Sequence, residues 1–71
     1  MYHVAELKAA ILTTEGELEE ALWETNDMVA AGRIHDALLM VDGVLESLAE
    51  LSTEGIASAM RALAYMRSTL G

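Results

Sequence analysis

One interval recurs through the first third of the chain. Val4, Leu7, Ile11, Thr14, Leu18, Leu22, Thr25 and Val29 follow one another three or four residues apart, which keeps them on one face of an α-helix for about seven turns. No proline interrupts them, because the 71 residues contain none. Proline would delete a backbone donor and clash with the preceding turn, so its absence leaves helix open at every position. Ala, Leu, Met and Glu are abundant, and each favours helix. No stretch alternates apolar and polar residues between turn signals, as a strand would. The expected fold class is all-α.

The apolar face implies a first helix over residues 3–31. Gly32 follows its last periodic residue, where a left-handed cap is commonly needed and glycine adopts it without a Cβ clash. A second helix, over 34–51, carries Ile34, Ala37, Leu38, Val41, Val44, Leu45 and Leu48 on one side. Ser52 and Thr53 can each accept a hydrogen bond from the free amides of a new helix, and Glu54 suits the positive end of its dipole. A third helix is therefore expected over 53–70, with Ile56, Ala59, Met60, Leu63, Met66 and Leu70 inward.

The architecture is an antiparallel helical hairpin extended to a three-helix bundle, one domain spanning 1–71. Thr13, Thr14, Glu15 and Gly16 nearly repeat as Ser52, Thr53, Glu54 and Gly55. The unbroken phase favours a continuous helix at the first quartet, and the capping residues favour a break at the second. Matching the helices in length leaves residues 2–12 as an N-terminal overhang, whose stripe Val4, Leu7 and Ile11 needs a cover. The cover is either the far end of the third helix or a second copy of the chain; the second copy is favoured, giving a homodimer.

The stretch Gly32, Arg33, Ile34, His35, Asp36, Ala37 and Leu38 resembles the tight turn and second-helix start of a tetratricopeptide repeat hairpin, where glycine turns the chain and alanine permits close helix approach. The likeness covers one turn and about half a helix. Upstream, the positions that the repeat gives to tryptophan and glycine carry Ala21 and Thr25, and no second repeat follows. The resemblance is to a way of turning, not to a family.

Size and charge bound the function. A monomer this short buries only about 60% of the surface its unfolded chain exposes. With no cysteine, disulfides and thiolate metal sites are closed as sources of stability, which leaves close helix packing or association. Twelve acidic residues against four basic ones give a formal charge of −8. Direct binding to nucleic acid or to an anionic membrane needs the opposite sign. No apolar run approaches the roughly 20 residues of a membrane span. The opening residues show no charged start followed by a long apolar stretch, so the expected protein is soluble and cytoplasmic.

Glu17, Glu20, Glu24 and Asp27 share one face of the first helix, and Asp42, Glu46 and Glu50 form a stripe on the second. Such carboxylates could hold a hard cation, which keeps a carboxylate metal-binding protein as a remote alternative, but a di-iron bundle also needs Glu-x-x-His pairs, which His3 and His35 do not supply. No catalytic, cofactor or metal residues are therefore assigned. The first stripe reads instead as an acidic docking face for a basic protein surface, or as an imitation of nucleic-acid phosphates that would inhibit a DNA- or RNA-binding protein.

Apolar residues off the core face are the strongest functional signal. Trp23 and Leu12 project well away from the inward stripe, as do Leu39, Met40 and Tyr65 from theirs. Aromatic residues and methionine are enriched in the centres of interfaces. The expected function is a non-enzymatic protein-protein interaction module, an adaptor, chaperone or inhibitor, acting as a homodimer with Leu12, Trp23, Leu39, Met40 and Tyr65 as anchors.

Overall fold

A computed structural model describes residues 3–71. Four helical segments follow in order: α1 (Val4–Glu24), α2 (Met28–Leu39), α3 (Val41–Ala49) and α4 (Thr53–Leu70). They make three rods, because α2 and α3 continue one another. Met40 between them keeps helical angles (φ −85°, ψ −10°), and its carbonyl accepts from the Val44 N–H at 3.0 Å. Its own N–H bonds three residues back, to Ala37 O at 3.3 Å, a local tightening of the helix. Short connections make successive rods antiparallel, so α4 returns alongside α1 and in its direction. The bundle measures 39 × 16 × 16 Å, and no strand occurs among the described residues.

The core lies along the bundle axis. Leu7, Ile11 and Leu18 of α1 meet Ile34 and Ala37 of α2, Val41, Val44 and Leu48 of α3, and Ala59, Ala62, Leu63 and Met66 of α4. Thr14 is the one buried polar residue among those described, and its hydroxyl donates to the Ala10 carbonyl at 2.7 Å. Satisfied in this way it costs the core little, and α1 runs unbroken through Thr13, Thr14, Glu15 and Gly16. Met60, expected inward, faces solvent; Ala62 takes the buried place.

Two expectations are corrected. The chain reverses at residues 25–27, not at Gly32, so the first helix ends at Glu24 and the second begins at Met28. Asp27 is the reason: its carboxylate accepts from the N–H groups of Val29 (2.9 Å) and Ala30 (3.4 Å), satisfying donors that a helix start leaves open. Thr25 adds a bond from the Asp27 N–H at 3.2 Å. Gly32 sits inside α2 and has no positive φ, so the segment that resembles a repeat turn is continuous helix. The three- and four-residue phase had carried across the true turn because Thr25 and Val29 happen to keep it.

The second correction follows from the first. With the reversal centred six residues earlier than Gly32, the rods span 4–24, 28–49 and 53–70 and match in length with nothing left over. Leu7 and Ile11 are fully buried within the chain. The overhang does not exist from Val4 onward, and Met1 and Tyr2 lie outside the described residues.

The second joint falls where cap chemistry placed it. Ser52 is extended (φ −87°, ψ 155°), and its Oγ accepts from the Gly55 N–H at 2.9 Å. Before it, Leu51 adopts φ +55°, the left-handed position more often given to glycine after a helix.

Candidate functional site

Of the five proposed anchors, Trp23 stands out. It lies one residue before the end of α1 and is 88% exposed. The turn at 25–27 places two further apolar side chains at that same end of the bundle, Met28 (88% exposed) and Val29 (65%) in the first turn of α2. Three large apolar residues thus occupy seven consecutive positions, 23–29, around one reversal. Single exposed apolar residues are ordinary; a concentration of them beside the only tryptophan is not.

The other anchors do not join this group. Leu12 is exposed on α1, eleven residues before Trp23. Eleven residues at 100° each bring the two back to nearly the same side of the helix, but about three turns apart. Leu39 is exposed in the last turn of α2, and Tyr65 about half exposed on α4. Met40 is only partly exposed and packs against the core cluster, so it serves the joint between α2 and α3 and not a surface. The sequence-based seam therefore resolves into a tip at 23–29 and separate residues on three rods.

The acidic face divides similarly. Glu17, Glu20 and Glu24 are exposed on α1. Asp27 is also exposed, but its carboxylate is engaged as the α2 cap. Glu19 and Glu20 precede Trp23 by four and three residues, which sets them one turn below it on a neighbouring strip of surface. Residues 15–27 contain six carboxylates, half of the chain's twelve, and no basic residue. Among the described residues, no group of three or more His, Asp or Glu side chains is arranged to hold a metal ion. No described helix is long and apolar enough to cross a membrane.

A second apolar feature lies at the opposite end. Val4 and Lys8 of α1, Leu45, Leu48 and Ala49 of α3, and Leu51 line an open pocket of about 260 Å³. Leu51 holds the left-handed conformation there and is itself largely exposed.

Met28 and Val29 escaped the sequence reading, which had placed both inside a first helix running to residue 31. Their signal was present in Thr25, Asn26 and Asp27, three successive residues that disfavour helix interiors and favour caps and turns. No protein-family model matches the chain, and neither the curated proteins nor the solved structures contain a significant relative.

Proposed function

We propose that the protein is a non-enzymatic interaction module whose contact surface is the apolar tip formed by Trp23, Met28 and Val29. The exposure of Trp23 carries this reading. A large apolar side chain left in water forfeits about 1.5–3 kcal/mol that burial would return, and tryptophan is among the residues most often found at the energetic centre of interfaces. The α1–α2 turn that presents it is closed by its own cap, so nothing in the fold requires an aromatic residue there. Association with a second copy, giving a homodimer, or with another protein would cover the tip. Since Leu7 and Ile11 are covered within the chain, dimerisation no longer has the N-terminal stripe as its reason and rests on the tip.

Trp23→Ala tests the reading. The variant should keep its helical circular dichroism and its stability within about 0.5 kcal/mol, as exposed positions do, while association of the purified chain in sedimentation, or with a partner retained from native lysate, falls tenfold or more. Unchanged association, or an unfolded variant, overturns the reading.

The exposed carboxylates Glu17, Glu20 and Glu24 favour one second reading, an acidic mimic of nucleic acid that occupies a DNA- or RNA-binding protein. It differs in its chemistry. Glu20→Gln with Glu24→Gln would abolish such binding and added salt would weaken it steeply, whereas Trp23→Ala would leave it intact.

A further inference from the structure

The tip and the charge around it, taken together, specify the chemistry of the partner. Resting on the interaction-module reading, we infer that the Trp23 tip receives a cationic amphipathic segment of another protein, one whose Arg or Lys side chains flank apolar anchors, and not a second copy of this chain. Trp23 presents its ring to solvent at 88% exposure, and an indole face is the most favourable aromatic surface for a guanidinium or ammonium. Glu19 and Glu20, four and three residues before it on α1 and both exposed, put two carboxylates within one helical turn of the indole, as negative charge for a cation on the ring. Met28 and Val29 supply the apolar part of the contact from the other side of the turn, and methionine adapts to partners of irregular shape.

Charge decides between the two occupants. Residues 15–27 carry six acids and no base, and the whole chain carries −8. A second copy would bring the same six carboxylates against these, with only two of its four cations at this end of the bundle, Arg33 in the second turn of α2 and Arg67 in the last turn of α4, and Lys8 and Arg61 farther along the rods, so acids remain in excess on both faces. Like charges set against each other disfavour that pairing, and opposite charges both accelerate and favour the other.

Trp23 is the only tryptophan and so reports on its own site. The full chain is titrated with a synthetic amphipathic helical peptide of Leu and Arg, and with a counterpart in which every Arg is replaced by Gln, following tryptophan emission and, for variants lacking the indole, heat of binding. The inference expects a shifted emission with the Arg peptide and at least tenfold weaker binding of the Gln peptide. It also expects roughly tenfold weakening between low and physiological salt, as ion pairs at a surface give, and at least tenfold loss in Trp23→Ala and in the Glu19→Gln, Glu20→Gln double variant. Equal binding of the two peptides overturns the inference while leaving the tip as an interaction site. Dimers of the chain alone that Trp23→Ala dissociates also overturn it, with a second copy as the occupant. Binding of the Arg peptide that depends on charge but is unmoved by Trp23→Ala overturns both the inference and the tip.

Discussion

Thr13, Thr14, Glu15 and Gly16 lie in the middle of α1, whereas Ser52, Thr53, Glu54 and Gly55, nearly the same four residues, stand at the break between α3 and α4. In α1 the Thr14 hydroxyl turns back to the carbonyl four residues earlier, at 2.7 Å, which the continuing helix supplies. At the break, the Ser52 oxygen turns forward to the Gly55 N–H at 2.9 Å, which exists as an open donor only where a helix begins. The same class of side chain therefore serves continuation in one place and initiation in the other. What differs is the surroundings: Thr14 faces the core between Ile11 and Leu18, while Ser52 is exposed at the turn. Local chemistry offers both outcomes, and packing selects one.

The glycines separate the two sites most sharply. Gly55 is buried, and a Cβ there would run into the backbone carbonyl of Ser47 on α3 and crowd the Ser52 hydroxyl. Because the obstacle is main chain, it yields only if α3 and α4 move apart. Gly55→Ala should lose about 1–3 kcal/mol, as overpacked sites do, despite the better helix propensity of alanine. For a domain of this size that lowers the melting midpoint by roughly 10 °C. A thermal melt that shows no loss would mean that the α3–α4 corner is looser than described.

The caps should separate next. Ser52→Ala removes the acceptor for the Gly55 N–H and should cost about 1 kcal/mol, read as a shifted denaturation midpoint at unchanged slope. Thr13→Ala, at the corresponding place in α1, removes an exposed side chain from a helix interior and should gain a few tenths of a kcal/mol, by about the difference in propensity. Opposite signs are the expected outcome. Equal losses would show that the first quartet also behaves as a helix start in solution.

The contrast explains which parts of the structure were legible in the sequence. Thr53–Leu70 emerged with its observed bounds because Ser52, Thr53 and Glu54 state a helix start in local chemistry. The all-α class and most of the core followed from periodicity. The first reversal was misplaced because periodicity has no term for a turn that preserves phase: Leu18, Leu22, Thr25 and Val29 keep their spacing although the helix ends at Glu24. That error propagated to the site. Trp23 was found from its angle on the helix, which a shifted terminus does not alter. Met28 and Val29 were missed, and Asp27 was counted as a free acidic residue, because all three were assigned to a helix that had already stopped. Asp27 also shows how a cap claims charge that composition would give to a docking face.

The smallest effect addresses the quartet in α1 itself. Gly16 is exposed, has no positive φ, and a Cβ built on it meets only open space. Nothing in the fold uses its freedom, so glycine there carries only its entropic cost in a helix interior. Gly16→Ala should stabilise the protein by about 0.5–1 kcal/mol, a rise of roughly 3–6 °C in the melting midpoint. Part of that gain comes from the unfolded chain, which alanine restricts, so the core is left as it is. Set beside Gly55→Ala, the same chemical change would then act with opposite sign at matching positions of two nearly identical quartets. A loss at Gly16 would require that its surface be closed by something beyond this chain, which sedimentation of the two proteins side by side would register as a difference in mass.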